Sequence, residues 1–153
     1  MKEAFTHKSL LILGRGIGQV MFQNNALSGL LMLIGIFLNS WQMGLLAVSG
    51  NIISTSTGRI SGYDRDDIKN GLYGFNGTLV GIAVGVFMHL TVNSLILMAI
   101  ASCASTYIAR FFNMQRMLPG FTTLFILSVW MLLGLCSWLM PDMLLVSDTE
   151  TPA

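Results

Sequence analysis

Three long stretches of this 153-residue chain contain no Asp, Glu, Lys or Arg, and they limit what the chain can fold into. They run over residues 16–58, 70–109 and 117–141. A helix needs about 20 mostly apolar residues to cross the hydrocarbon core of a bilayer. Runs of 43, 40 and 25 residues therefore hold two, two and one such helices. We predict an all-α polytopic membrane protein with five transmembrane helices.

The composition excludes several other classes of protein. Charged residues make up 10% of the chain, whereas soluble domains average about 25%, and hydrophobic residues make up 54%. A net charge of +1 without a basic patch gives no electrostatic basis for binding nucleic acid. The two cysteines, Cys103 and Cys136, lie inside apolar runs, so neither a disulfide framework nor a metal site is expected. We expect no cofactor.

The distribution of charge predicts the orientation in the membrane. With five spans, all eight basic residues fall on the side of the N-terminus, and the other side carries only acidic residues near the C-terminus. The positive-inside rule then places the N-terminus in the cytoplasm and the C-terminus outside. The basic residues are Lys2, Lys8, Arg15, Arg59, Arg65, Lys69, Arg110 and Arg116.

The chain divides into an N-terminal arm over 1–15, a membrane region over 16–141 and a polar tail over 142–153. At the start of the membrane region, GIGQVMFQNN (16–25) is too polar and too rich in glycine for a helix that faces lipid. Backbone polar groups at membrane depth must be satisfied inside the protein. This segment is therefore predicted to be a re-entrant turn or a helix end.

The next two helices are expected over about 26–40 and 42–58, and a charged loop follows over 59–69. The second of these helices ends in SGNIISTSTGR, whose hydroxyl groups should face other helices. The third span carries Gly77, Gly81 and Gly85 at intervals of four residues. This spacing is the small-xxx-small pattern through which membrane helices approach each other closely.

An enzymatic function finds little support in the spans. They contain no carboxylate or basic side chain, and His89, at the end of the third span, is interpreted as an interfacial polar residue. A passive path for a neutral solute and a scaffold without a path both remain. The uncharged polar residues at depth serve either helix-to-helix hydrogen bonds or a ligand. They are Gln19, Asn24, Asn25, Asn51, Asn76, Thr78, Thr122 and Thr123.

Three motifs in a fixed order give a specific resemblance. GQVMFQNN, GLYGFNGTLVG and LPGFTTLF resemble the corresponding segments in one half of a urea transporter, and the similarity extends from about Gly16 to Trp138. Full-length members of that family contain two such halves in inverted orientation, each with five spans and a tilted re-entrant pore helix. The resemblance implies that residues 1–153 form one inverted-repeat half, similar to the N-terminal half.

The resemblance also implies a substrate-binding site. The glutamine of GQV would lie at the end of the pore helix and hydrogen-bond the amide groups of urea. Val20 and Phe22 of the same turn would line the mouth. Phe75 and Leu79 of GLYGFNGTLVG would form the walls of a flat slot, and Thr122 would supply a hydroxyl at the constriction. For the two phenylalanines, ordinary helix packing is the alternative. The residues are Gln19, Val20, Phe22, Phe75, Leu79 and Thr122.

The implied function is facilitative, channel-like transport of urea through an uncharged slot. Partners would be urea, membrane lipid and a second copy or complementary half, in the plasma membrane (a bacterial inner membrane). Assembly into a higher oligomer, such as a trimer, stays open. Two copies inserted in opposite orientations are disfavoured by the charge asymmetry. The alternatives are a non-transporting truncated or structural membrane subunit, and a channel for another small neutral amide.

Overall fold

A computed structural model describes residues 2–115 and 123–145. Across these residues the structure is helical, and its only β-type pairing is a single bridge between Met88 and Leu144. Short 3-10 turns cover Gln19–Met21 and Pro141–Met143. The helices are α1 (Lys2–Gly18), α2 (Ala26–Asn39), α3 (Trp41–Ile60), α4 (Arg65–Lys69), α5 (Leu72–Phe87), α6 (Val92–Gln115) and α7 (Thr123–Leu139).

Short polar side chains fix where three helices begin. The side chain of Asn25 accepts a hydrogen bond from the backbone N–H of Leu27 at the start of α2, and that of Ser40 accepts one from Met43 in α3. Such N-caps satisfy backbone donors that have no partner within the helix. Asp64 caps α4 in the same way, and the backbone N–H groups of Asp67 and Asp66 hold its pKa below the usual value.

The centre of the fold is the antiparallel pair α3 and α5. Gly50 lies against Gly77, and Gly81 lies against the carbonyl group of Leu46. A Cβ atom on Gly77 would stand 2.6 Å from the carbonyl carbon of Gly50, so the two backbones are in direct contact. The close approach expected from the glycine spacing is therefore confirmed, and the partner helix is α3.

Helix α6 runs parallel to α3 and binds it through hydroxyl groups. The side chain of Ser54 lies 2.6 Å from the Thr106 hydroxyl and donates to the Ser102 carbonyl group at 3.0 Å. Asn51, Ser54 and Thr55 are all buried. Hydroxyl and amide side chains between helices satisfy one another where water is absent. For these three residues the prediction that this half of α3 faces other helices is confirmed, whereas Ser49 and Ser56 of the same segment are exposed.

The two ends of the bundle differ in charge. One end carries the loop between α3 and α5, where Arg15 donates to the Lys69 carbonyl and the Arg110 guanidinium stacks 5.3 Å from the ring centre of Tyr63. At the other end, the His89 backbone N–H donates to the Met143 carbonyl, and that of Leu145 donates to the Phe87 carbonyl.

The apolar core between the ends includes Leu46, Val80, Val84, Met98, Val129 and Leu132.

Several of the described helices are shorter than a full membrane span. In the described ranges, Val92–Phe111 is long and apolar enough to cross a membrane, and the bent pair Lys8–Met21 and Ala26–Asn39 adds a second candidate if it counts as one span. Helix α2 has 14 residues and so extends about 21 Å, against a hydrocarbon core of about 30 Å. The all-helical fold is confirmed, and the count of five spans stays a prediction.

The N-terminal arm is largely helical. Helix α1 continues without a break through Arg15 to Gly18, since nothing in this stretch interrupts the backbone hydrogen bonding. The departure from α-helix is confined to residues 19–25, where the chain bends by 74° between Lys8–Met21 and Ala26–Asn39. The expected turn within 16–25 is thus present, and it follows a helix. Most of the polar tail, residues 146–153, lies outside the described residues.

Candidate functional site

The turn after α1 holds one residue in a conformation that non-glycine residues rarely adopt. Phe22 has a φ of 57°, and its backbone N–H donates to the Gln19 carbonyl at 2.9 Å. A left-handed conformation outside glycine costs about 1–3 kcal/mol and persists only where the surroundings enforce it. The Phe22 side chain is 67% exposed. The turn therefore presents an aromatic ring on the surface of this chain.

Small residues allow the chain to fold back after this turn. A Cβ atom on Gly29 of α2 would overlap the Gly14 carbonyl oxygen of α1. A Cβ atom on Gly18 would stand 2.6 Å from the Asn25 carbonyl oxygen. Helices that touch through their backbones need glycine at the contact. The pair α1 and α2 is therefore packed closely around the turn that carries Gln19.

Gln19 is tied to Asn70, which ends α4 and lies two residues before the start of α5. Its Nε2 donates to the Asn70 carbonyl oxygen at 3.1 Å, and the Nδ2 of Asn24 donates to Asn70 Oδ1 at 3.1 Å. A carbonyl oxygen can only accept, so the NH₂ end of the Gln19 amide must face Asn70. The Oε1 end of Gln19 takes no part in this bond. It is the end of the amide that can accept a hydrogen bond from a solute.

The beginning of α5 lies directly against the end of α1. Gly71 has a φ of 76°, and a Cβ atom there would stand 2.6 Å from the Gly16 α-carbon. Phe75 and Leu79 follow Gly71 at one and two helical turns, so they share its face of α5. Gln19 is therefore brought to the first turn of the helix that carries these two candidate residues.

The other candidate residues differ in how far they are exposed. Phe75 is buried at 3% exposure, whereas Val20 and Leu79 are half-buried. The exposed Phe22 and the buried Phe75 thus have different environments in this chain. Thr122 lies outside the described residues. That these six residues line one slot stays a prediction.

A buried polar network lies beneath the candidate site. Asn51, 1% exposed, donates from Nδ2 to the Thr78 hydroxyl at 2.9 Å and to the Leu13 carbonyl at 3.2 Å. The Thr55 hydroxyl donates to Asn51 Oδ1 at 3.2 Å. These bonds join α1, α3 and α5. Of the two explanations for polar residues at depth, helix-to-helix hydrogen bonding is the one that Asn51 and Thr78 fulfil.

The chemistry of this region is that of neutral hydrogen bonding. The polar groups next to Gln19 are amides and backbone carbonyls, and Arg15 is engaged with the Lys69 carbonyl. Within the described ranges, no three His, Cys, Asp or Glu side chains lie close enough together to hold a metal ion. A cavity of about 270 Å³ lies at the opposite end of α5, so it is separate from Gln19. It is lined by Gln42, Leu46, Gly85, Met88, His89, Leu90 and Leu145.

Comparison with protein families connects this arrangement to a known group. The urea transporter family matches residues 10–149, a range that includes the Gln19 turn, α5 and the segment with Thr122. The chain belongs to the urea transporter family. The resemblance that the three motifs indicate is thereby confirmed over nearly the whole chain.

Individual members of the urea transporter family match a part of the chain. Mouse urea transporter 1 is 41% identical over 75 residues, which cover 49% of this chain and 20% of the mouse protein. The rat protein of the same name is 42% identical over 73 residues, and the sheep protein is 40% identical over 73 residues. In both, the match covers 48% of this chain and 19% of the relative. This chain thus corresponds to a small part of these relatives.

Sequence reasoning missed Asn70, the residue that holds Gln19. The prediction treats position 70 as the beginning of the third span, with no part in the site. Gln19 and Asn70 are 51 positions apart, and their bond depends on how α1 packs against α5. The sequence signal nearest to it is the Asn70-Gly71 pair, which is typical of a turn. That signal predicts a local conformation and does not identify a partner.

Proposed function

We propose that this chain forms one half of a facilitative, channel-like pathway for urea across the plasma membrane. The observation that carries the proposal is the family match over 10–149, which includes a glutamine whose amide is held through its Nε2 end, so that its Oε1 is not the atom bound to Asn70. Urea is flat and neutral and has four N–H bonds and one carbonyl group. A pathway for urea must replace the hydrogen bonds to water that urea loses.

Hydrogen bonding determines which residues would contact urea. Each buried polar group left without a partner costs about 1–3 kcal/mol. Gln19 Oε1 and the Thr122 hydroxyl would accept from urea N–H groups, and Phe22 and Phe75 would pack against its flat faces. Val20 and Leu79 would line the same slot. Because none of these groups is charged, the pathway would carry a neutral solute without ion coupling.

The surface of the chain supports a location in the membrane. Large apolar side chains are exposed along α2 and α7 and at the end of α3, which is unfavourable in water but not in lipid. We propose an integral plasma membrane protein, in a bacterial inner membrane, with its N-terminus in the cytoplasm. The most exposed of these side chains are Leu38 (84%), Ile60 (87%) and Trp138 (81%).

The pathway would be completed by a second half. Phe22 is 67% exposed and Gln19 is half-buried, so one side of the candidate site is open. Inverted-repeat transporters place their substrate sites where the two repeats meet. A complementary half, or a second copy, would cover this side. Assembly of completed pores into a trimer is compatible with the proposal and is not needed for it.

Urea flux into liposomes tests the proposal. We expect the chain to conduct urea weakly or not at all by itself, and at least several-fold faster than protein-free liposomes when the second half of a full-length family member is present. Stopped-flow light scattering after a urea gradient is imposed measures the urea flux, both with the chain alone and with the second half present. Strong flux from the chain alone would contradict the need for a second half. Background flux in both states would favour the alternative of a non-transporting subunit.

A channel for another small amide is the second alternative. Competition between urea and either formamide or thiourea in the same liposomes separates the two. If urea is the substrate, unlabelled urea should reduce the uptake of labelled urea more effectively than formamide at equal concentration. The reverse order would identify the pathway as a general amide channel.

A further inference from the structure

We propose that Asn70 is a positioning residue, which holds the Gln19 amide so that its oxygen faces the solute. The inference rests on the proposed function, since it assigns a role within the same site. Asn70 makes two contacts with the turn after α1. Its carbonyl oxygen accepts from Gln19 Nε2 at 3.1 Å, and its Oδ1 accepts from Asn24 Nδ2 at 3.1 Å. One residue therefore holds both ends of the turn.

Asn70 is itself held in place by the loop around it. Its backbone N–H donates to the Asp66 carbonyl at 2.9 Å, which ends helix α4. The preceding carbonyl, that of Lys69, accepts from the Arg15 guanidinium at 3.2 Å. The following residue, Gly71, packs against Gly16. The Asn70 carbonyl oxygen is thus a fixed acceptor, and a fixed acceptor can orient an amide.

The orientation of the Gln19 amide affects which solutes it can bind. An amide group has a donor end and an acceptor end, and a released side chain could present either. If the NH₂ end faced the pathway, it could donate only to the single carbonyl oxygen of urea, and the four N–H groups of urea would find no acceptor on Gln19. With the NH₂ end bound to Asn70, Oε1 is presented consistently. Asn70 would therefore favour solutes that are rich in N–H donors.

Four variants test this role in the completed transporter. Asn70→Ala and Asn24→Ala each remove the bond between the two side chains, which keeps the turn against the Asn70 carbonyl, while that backbone carbonyl itself stays in place. The double variant removes both partners of the side-chain bond. Asn70→Asp keeps an oxygen acceptor for Asn24. The matched control is Asn93→Ala, because Asn93 is exposed near the beginning of α6 and no described hydrogen bond uses its side chain. Urea flux and formamide flux are measured at equal inserted protein.

We expect each single alanine variant to lower urea flux about three- to tenfold. The turn loses the hydrogen bond between Asn24 and Asn70 that keeps Gln19 Nε2 against the Asn70 carbonyl, and the net free energy of one such bond corresponds to this range. The double variant should be no slower than either single variant, since both changes remove the same bond. Asn70→Asp should retain at least half of the wild-type flux, and Asn93→Ala should match the wild type. Formamide has fewer N–H groups, so its flux should fall less than that of urea.

Other outcomes would overturn the positioning role. Additive losses, or equal losses of urea and formamide flux, would indicate general damage to the fold. Unchanged flux in Asn70→Ala would show that the Asn70 side chain does not help to hold the Gln19 turn in place, which would overturn the positioning role. If the wild type itself carries no urea, the proposed function fails. Backbone hydrogen exchange of residues 19–25 then tests the contact separately. The exchange rate should rise in Asn24→Ala and Asn70→Ala but not in Asn93→Ala. Equal exchange in these three variants and the wild type would refute the contact.

Discussion

The Gly77→Val variant is expected to lose the packed fold. A Cβ atom at this position would stand 2.6 Å from both the Gly50 carbonyl carbon and the Ser54 Cβ atom, and the Gly50 carbonyl oxygen would be closer still. Because these are mainly backbone atoms within a helix, they cannot rotate away. Helices α3 and α5 would have to separate along their length. Overpacking of a core costs about 1–3 kcal/mol or more, and here the separation would also break contacts along the whole interface.

The measurement for Gly77→Val is the yield of monodisperse protein in mild detergent, followed by thermal unfolding. We expect little or no monodisperse protein. Gly35→Val in α2 and Gly134→Val in α7 are matched controls, because a Cβ atom at either site would have, beyond its own stretch of helix, no heavy atom of the described residues within 4 Å. Both controls should give near wild-type yield. A Gly77→Val protein with wild-type yield and melting temperature would contradict the close α3–α5 contact.

Gln19→Leu is expected to reduce urea flux through the completed transporter by at least about tenfold. Leucine is similar in size to glutamine, but it can neither donate to the Asn70 carbonyl nor accept from urea. Each hydrogen bond left unmade costs about 1–3 kcal/mol, and about 1.4 kcal/mol corresponds to a tenfold change. The barrier for urea at this point should rise by at least that amount.

The control for Gln19→Leu is Gln42→Leu at the opposite end of the bundle. Gln42 is exposed and lines the cavity beside His89, so its replacement tests the loss of a glutamine away from the proposed contact. We expect Gln42→Leu to conduct urea at the wild-type rate. Equal rates for Gln19→Leu and the wild type, at equal inserted protein, would remove Gln19 from the proposed contact.

The sequence predicts the local parts of this fold well. Helices expected over about 26–40 and 42–58 are observed at Ala26–Asn39 and Trp41–Ile60. Their starts depend on Asn25 and Ser40, whose capping bonds reach only two or three residues along the chain. The glycine spacing around Gly77 likewise indicates a close contact without long-range information. Properties determined by neighbouring residues can be inferred from one sequence.

Long-range contacts were not predictable in the same way. The hydrogen bond between Gln19 and Asn70 and the burial of Phe75 both depend on how α1 and α5 pack together. Residues 1–15 are predicted to form an arm because Lys2, Lys8 and Arg15 suggest a location outside the membrane. They are observed largely as part of α1, since charge does not prevent a helix from forming. Charge-free length also overestimates helix length. The third span, expected to begin near position 70, is observed as a helix over Leu72–Phe87, because the backbone is left-handed at Gly71 and extended at Met88.

The central claim, that urea passes beside the Gln19 turn, is tested most directly by a covalent block at the adjacent residue. Val20→Cys is introduced with Cys103→Ser and Cys136→Ala, and urea flux through the completed transporter is measured before and after a small thiol reagent. Leu38→Cys on the same background is the control, because Leu38 is 84% exposed on α2. We predict that modification at position 20 reduces urea flux to that of protein-free liposomes, while modification at position 38 does not. Undiminished flux after complete modification at position 20 would contradict the account.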